Sequence, residues 1–270
     1  MEIYAILDLM FNESKIVIFE GNKEDGIFSK SPKFYDDKFN ENDINKELKA
    51  ARIRLGNKYK FNGLKMLQVT QKMEDNDDYQ DNKCIIVTEK HLKKEDYFDE
   101  EIKADILIIS RKYKGVVLCH RMADCPILIA EDRKKEVTAI THCNLYHINR
   151  ELPKELIKSL IKKFNSKPKD IYLYIGSHIH KENYIYDKYP PKATNKVVWK
   201  EAIEKIENDY HIDLIKAITN QLNEYNLAEI KISPIDTYSD DRYASHCAVC
   251  RGNKNKLGQN IIGFYYKDAK

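Results

Sequence analysis

A cysteine and a histidine stand on either side of a short polar segment and offer residue types suited to chemistry. Cys125 directly precedes the apolar run Pro126–Ala130, and His142 follows the run Val137–Ile140. A thiolate and an imidazole held together make either a metal site or a nucleophile–base pair. These two residues are therefore the first candidates for a functional site, and both kinds of chemistry stay open.

The charged segment 131–136 between the two apolar runs predicts a hairpin that places these residues. If the turn centres between Arg133 and Lys134, Cys125 and His142 lie directly opposite each other on one face. Their Cβ atoms are then about 5 Å apart. The buried alternative is a small apolar cysteine beside a hydrogen-bonded core histidine.

A metal would need a third ligand near this pair. His120 precedes Cys125 by an odd number of residues, so on one regular strand its side chain points to the other face. Cys119 has the right parity but lies roughly 20 Å away at about 3.3 Å per residue. The candidates that loops can bring to the site are His147, His246 and Cys247.

Other chemistry-bearing residues have plain structural interpretations. Cys247 and Cys250 form a CxxC without a second such pair, which favours incidental cysteines over a zinc knuckle. Asp124 can orient a ligand or cap a turn. Three basic residues can reach a phosphate but are more simply surface charges: Lys30, Arg52 and Arg54.

The elements around these residues predict a mixed α/β fold in one domain over residues 1–270. Short β-branched runs such as Ile106–Ile109 and Ile171–Ile175 predict strands. Apolar residues at helical spacing predict helices from Ile44 to Leu55, Leu152 to Phe164 and Leu214 to Tyr225, and another around Trp199–Ile206. Strands and helices do not alternate strictly, which indicates mixed rather than parallel sheets.

Composition excludes several classes of protein. The 270 residues carry 46 basic and 43 acidic side chains for a net charge of +3, and the lysines are spread out, so no nucleic-acid partner is predicted. No apolar run approaches the roughly 18 residues of a membrane span. The six scattered cysteines and the absence of a signal-peptide pattern predict a cytoplasmic protein with reduced thiols.

Several segments together resemble the laccase-domain family, also called the multicopper polyphenol oxidase or purine nucleoside phosphorylase family. They occur in the family's order across roughly residues 26–266. The segments are Lys103–Leu107, the Ala123-Asp124-Cys125-Pro126 motif, Thr141-His142, Tyr174–Ile179 with Tyr184, Ile212–Leu222, and Gly258 with Ile262.

The resemblance implies a single-domain α/β fold of two packed sheets flanked by helices. It also implies zinc-dependent chemistry on purine nucleosides, namely phosphorolysis of adenosine, inosine or methylthioadenosine and deamination of adenosine. Of the family's three metal ligands, a cysteine and a histidine carry over to Cys125 and His142. Copper is not expected, because His178-Ile179-His180 is the single His-x-His in the chain and a multicopper site needs more.

The sequence departs from the family at four functional positions. Thr70 stands where the third ligand, a histidine, is expected, and a hydroxyl binds zinc poorly beside imidazole. Asn144–His147 replaces a Gly-Trp-Arg-Gly segment, and Tyr243–Ala248 lacks two arginines of its family counterpart. Arginine grips phosphate bidentately, whereas Lys30, which replaces another family arginine, offers a point charge.

Three functional hypotheses follow. The first is a purine nucleoside phosphorylase-like enzyme that binds a nucleoside and phosphate, with Cys125, His142 and Asp124 as catalytic residues and zinc on the first two. The second is a degenerate family member that binds a nucleoside or a protein partner without turnover. The third is a cysteine hydrolase, which requires a depressed Cys125 thiol pKa. The sequence predicts no particular oligomeric state.

Overall fold

The computed structural model describes residues 15–29, 31, 39–70, 83–97, 102–254 and 258–267. In chain order its strands are β1 (Ile16–Gly21), β2 (Met66–Thr70), β3 (Cys84–Ile86), β4 (Ile102–Lys103), β5 (Ile106–Ser110), β6 (Val117–Met122), β7 (Ile127–Asp132), β8 (Val137–His142), β9 (Ile171–Ile175), β10 (Ile185–Tyr186), β11 (Ile203–Ile206), β12 (Asp209–Ile212), β13 (Glu229–Ile232) and β14 (Asn260–Tyr266). The α-helices are α1 (Glu41–Tyr59), α2 (Leu145–Asn149), α3 (Leu152–Phe164), α4 (Leu214–Leu222) and α5 (His246–Cys250).

Two mixed sheets organise the fold. The first has the order β1-β14-β6-β2-β4 and the second β13-β9-β7-β8-β5-β3, while β10-β12-β11 form a small third sheet. Most pairs are antiparallel, but β2 runs parallel to both β6 and β4, β3 runs parallel to β5, and β13 runs parallel to β9. The expected mixed α/β fold in a single domain is confirmed.

The two large sheets pack face to face because one side of each is apolar. Alternate residues of β6, β7 and β8, including Leu118, Ile129 and Ile140, meet in a shared buried cluster. Helix α1 covers the outer face of the first sheet through residues such as Leu48. Helices α3 and α4 cover the outer face of the second, as Leu156 shows. The layers thus run helix, sheet, sheet, helix.

Apolar residues at helical spacing predicted the positions of the long helices correctly, but their first and last residues less accurately. Helix α1 begins after Asn40, whose side chain accepts a hydrogen bond from the Asp43 backbone N–H, so Asp43 is not the N-cap that its position suggests. The helix also passes through Gly56 and ends at Tyr59, and the next residue, Lys60, adopts the left-handed conformation that closes a helix.

The prediction of a helix around Trp199–Ile206 is wrong. Residues 203–206 form β11, which pairs with β12 in a tight antiparallel hairpin. Glu201 and Glu207 both have positive φ angles, near 60° and 55°, and this breaks a helix on either side of the segment. Within the described residues, no helix combines the length and apolarity needed to cross a bilayer.

Candidate functional site

His142 lies at the end of β8 on the side that faces the first sheet, where two more histidines surround it. The His120 ring, from β6 of the opposite sheet, has its centroid 6.3 Å from that of His142. The His147 ring, from α2, is 6.0 Å from His142 on another side. All three side chains are buried. We call His120, His142 and His147 the histidine cluster.

Two rings of the histidine cluster, those of His120 and His142, are held uncharged by their surroundings. Burial lowers the pKa of His120 to about 3, and the nearby His147 and Arg121 charges act in the same direction. Burial, followed by the neighbouring His147 and His120, likewise places the pKa of His142 well below its usual value. At neutral pH these two rings are therefore neutral imidazoles, which offer one donor and one acceptor nitrogen each.

The expectation that His120 points away from the site is wrong. It treated residues 120–125 as one regular strand, but β6 ends at Met122. The chain then leaves the first sheet and enters the second at Ile127, so strand parity does not extend from His120 to Cys125. His147, which the sequence did single out, does lie beside His142. Cys119 faces α1 instead, with its sulfur 3.7 Å from the Leu67 carbonyl oxygen.

The hairpin that links the two candidate residues has a different register from the expected one. His142 pairs with Ile127, not with Cys125, and the four residues Arg133–Glu136 form the turn. Asp132 fixes this turn, because its side chain accepts hydrogen bonds from the Lys134 and Lys135 backbone N–H groups. Cys125 therefore lies two residues beyond the position opposite His142, roughly 7 Å further along the chain.

Cys125 stands just before β7, partly buried among other thiols and tyrosines. Burial raises the pKa of its thiol to about 12, and the adjacent Asp124 carboxylate adds to the effect. Burial and then the Cys125 sulfur likewise raise the pKa values of Cys143 and Tyr184. The thiol is thus protonated at neutral pH, contrary to the depressed pKa that a cysteine hydrolase requires.

Asp124 holds the surroundings of Cys125 together with three hydrogen bonds, which we call the Asp124 tie. Its carbonyl oxygen accepts from the Ile179 backbone N–H at 2.8 Å. Its two carboxylate oxygens accept from the Thr237 hydroxyl at 3.0 Å and the Cys247 backbone N–H at 2.8 Å. The capping role that the sequence allowed is present, and it joins three distant chain segments at Cys125.

The basic residues considered for phosphate binding lie in different environments. Arg52 is buried and forms a bidentate ion pair with Asp96, at 2.5 and 2.7 Å, so its interpretation as a surface charge is wrong. Arg54 pairs with Glu47 at the surface. Lys30 lies outside the described residues.

The remaining candidates lie apart from the histidine cluster or form other contacts. His246 is exposed on α5, with its Nε2 3.5 Å from the Cys250 sulfur. Cys247 is held by the Asp124 tie. The backbone of Thr70 closes β2 opposite Lys103, and its side chain is outside the described part of the structure.

The donors present do not by themselves fit a zinc ion. Among the described residues, no group of three or more His, Cys, Asp or Glu side chains is arranged to hold one metal. Cys125 and His142 supply two ligands, whereas zinc sites use at least three protein ligands. The zinc expectation therefore stays a prediction.

Comparison with known proteins identifies the family. Residues 25–263 match the family model described as multi-copper polyphenol oxidoreductase laccase. The chain belongs to this family. The match spans the segments that carry Asp124, Cys125 and His142, so the resemblance inferred from their motifs is confirmed. No curated protein matches the sequence.

Solved structures of similar fold support the architecture of this laccase-like protein. YlmD from Geobacillus stearothermophilus aligns with a TM-score of 0.74 at 17% identity, over 94% of this chain and 93% of its own. The hypothetical protein YfiH from Bacillus licheniformis gives 0.66 at 19% identity, over 82% of each chain. Neisseria meningitidis protein NMB0706 gives 0.61 at 14% identity, over 83% and 82%. At such identities these likenesses show the fold alone.

Proposed function

We propose that this laccase-like protein is a purine nucleoside phosphorylase-like enzyme acting at Cys125 and His142. One observation carries the proposal: the two residues retained from the family's functional set lie at adjoining ends of the paired strands β7 and β8. The family match covers both strands. Asp124 serves as a positioning residue, because its carboxylate is committed to the Asp124 tie.

The proposed reaction is the transfer of a ribosyl group from a purine to phosphate. The bond between the anomeric carbon and the purine nitrogen breaks, a phosphate oxygen bonds to that carbon, and the departing base takes up a proton. Its transition state resembles an oxocarbenium ion, as in glycoside cleavage. Neutral His142 and protonated Cys125 are suited to position the nucleoside by hydrogen bonds, not to supply charge.

Phosphate needs a cation near the reacting carbon. The family's arginines are replaced in Asn144–His147 and Tyr243–Ala248. Arg121 is a cation close enough to lower the pKa values of both His120 and His142. Its effect on each is smaller than that of burial and of the neighbouring histidines. Arg121 itself lies on the α1 side of β6, where its Nη1 donates a hydrogen bond to the Phe28 carbonyl oxygen at 3.0 Å, so the proposal assigns phosphate binding to no particular cation. Deamination of adenosine needs an activated water and is not part of this proposal.

The test is release of free base from adenosine, inosine and methylthioadenosine with and without phosphate. Cys125→Ala and His142→Ala are compared with Cys250→Ala, which removes an exposed thiol from the same protein. We expect release that needs phosphate, falls at least 100-fold in the first two variants and is unchanged in the third. Absence of phosphate-dependent release from folded protein, assayed with and without added zinc, overturns the proposal.

The second candidate is a family member that binds a nucleoside without turnover. Thr70 in place of a ligand and the missing arginines favour it. Calorimetric titration with inosine separates the two candidates. Binding that depends on His142, in protein that releases no base with phosphate present, establishes the non-catalytic binder.

A further inference from the structure

A cavity is lined by none of the residues assigned to phosphorolysis. It has a volume of about 320 Å³ and opens between the end of β13, the loop that follows β9 and the first turn of α4. Because β9 and β13 run parallel, their carboxyl ends meet at this edge, where α/β proteins commonly bind ligands. The volume is in the range of small-molecule sites.

His178 lines this cavity with a largely buried imidazole ring. The side chain is only 3% exposed, and its Nδ1 lies 2.9 Å from the Gly176 carbonyl oxygen. A carbonyl only accepts, so Nδ1 carries the proton. Burial lowers the pKa of His178 to about 4, which leaves the ring neutral and Nε2 with a lone pair. Among the described residues no group donates a hydrogen bond to Nε2, and this atom is not one of the buried polar atoms that lack a partner, so it is accessible to a ligand in the cavity.

The first turn of α4 presents donors to the same cavity. Asp213 caps the helix by accepting a hydrogen bond from the Lys216 N–H at 2.8 Å. The preceding amides of Leu214 and Ile215, which line the cavity, have no acceptor among the described residues. Free amides at a helix N-terminus favour an anionic group such as a carboxylate.

The charged residues of the wall favour a cationic group beside that anion. Asp213 and Glu182 both line the cavity. Lys181 lines it too, but its Nζ lies 2.5 Å from Glu204, and this pair offsets the lysine charge. Ile232, 40% exposed, supplies an apolar surface next to these polar groups. The wall therefore offers donors for an anion, acidic acceptors for a cation and an aliphatic contact.

We propose that this cavity binds a free α-amino acid with an aliphatic side chain. The carboxylate accepts hydrogen bonds from the Leu214 and Ile215 amides. The ammonium group donates to Nε2 of His178 and faces the Asp213 carboxylate. The side chain packs on Ile232. None of these residues takes part in the proposed phosphorolysis, so the two proposals stand or fall separately.

Three matched probes test the chemistry by calorimetric titration of the whole chain. L-leucine carries both charged groups, L-leucinamide lacks the carboxylate, and 4-methylpentanoate lacks the ammonium. We expect one L-leucine to bind per chain and both analogues to bind at least tenfold more weakly. Equal or tighter binding of L-leucinamide would instead indicate the amino terminus of a peptide and overturn the free amino acid as the ligand.

Two variants test the assigned atoms. His178→Asn keeps a side-chain N–H for the Gly176 carbonyl but removes Nε2. Ile215→Pro removes one amide donor at the second position of the helix, where α3 already carries Pro153 after Leu152. Each variant should weaken L-leucine binding about tenfold, whereas His246→Asn, an exposed control on α5, should not.

Circular dichroism establishes that each variant is folded before titration. If Ile215→Pro does not fold, His178→Asn decides the matter alone. The proposal is overturned if the folded natural sequence does not bind L-leucine at concentrations on the order of 10 mM. Binding that His178→Asn leaves unchanged overturns it as well.

Discussion

His142 and Cys125 lie at adjoining ends of two paired strands, yet different forces hold them in place. His142 is packed between the two sheets within the histidine cluster. Cys125 is held from outside by the Asp124 tie, which depends on hydrogen bonds between chain segments. Apolar packing tolerates replacement by side chains of similar volume, whereas a buried hydrogen-bonded carboxylate does not. The two halves of the site should therefore respond very differently to substitution.

The largest effect is expected on the Cys125 side. Asp124→Ala leaves the Cys247 N–H and the Thr237 hydroxyl without their acceptor, and this should lower the free energy of unfolding by about 3 kcal/mol. Urea unfolding measures the change. Asp240→Ala, which removes a carboxylate paired with Arg242 at the surface, should cost less than about 1 kcal/mol. Equal losses in the two variants would contradict the role of the Asp124 tie.

The second largest effect is expected from acid, which should destabilise the fold through His178. His178 has a pKa of about 4 in the folded protein, below its value of about 6.5 in the unfolded chain. The unfolded chain thus binds a proton first as pH falls, so stability is full above pH 6.5 and declines toward pH 4. At pH 5 the loss from this group is about 2 kcal/mol. The pKa values of His120 and His142 are also lowered, so protonation of these rings lowers the free energy of unfolding over the same direction of pH change.

The comparison with His178→Asn isolates that contribution. Urea unfolding of both proteins at pH 7.5 and pH 5 cancels the part from the histidine cluster, which both retain. The natural sequence should lose about 2 kcal/mol more than the variant over this interval. An identical pH dependence in the two proteins would show that His178 is not buried as a neutral ring.

On the packed side, a substitution should stabilise the protein slightly. Nε2 of His120 is buried without a hydrogen-bond partner among the described residues. His120→Leu fills a similar volume without that cost, so thermal and urea unfolding should show a gain of about 1 kcal/mol at pH 7.5. A loss of stability would mean that the ring makes a contact, such as one to a ligand, that the fold needs.

The smallest response is expected from Cys125 toward alkylation. Its raised pKa leaves almost no thiolate at neutral pH. Iodoacetamide followed by peptide mass spectrometry should modify exposed Cys250 and leave Cys125 unmodified over the same period. Modification of Cys125 at the rate of Cys250 would reopen the cysteine hydrolase hypothesis.

The sequence predicted local elements because their causes are local. The helix predicted from Leu152 to Phe164 matches α3, and the strand predicted at Ile171–Ile175 matches β9. Each prediction depends only on the periodicity of apolar residues within one segment. The hairpin of β7 and β8 was expected, but its register depends on the Asp132 side chain and the left-handed Glu136. A helix around Trp199 failed for a similar reason, because backbone conformation at Glu201 overrides apolar spacing.

The site was only half visible for a different reason. Asp124, Cys125 and His142 were found from motifs that lie close together in the chain. His120 was missed because its nearness to His142 depends on which faces of two separate sheets pack together, and no short motif records that. The alternation of β6 with its apolar neighbours Leu118 and Met122 is the signal that places His120 on the inner face.

The position of β14 sets when this protein can fold during synthesis. β14 lies between β1 and β6, so residues 260–266 fill the gap in the first sheet between segments made much earlier. Until these residues leave the ribosome, β1 and β6 expose unpaired strand edges and the apolar inner face stays open. Formation of the histidine cluster, which needs both sheets, must therefore wait until residues 260–266 have been synthesised, and the open strand edges expose the partly folded chain to aggregation until then.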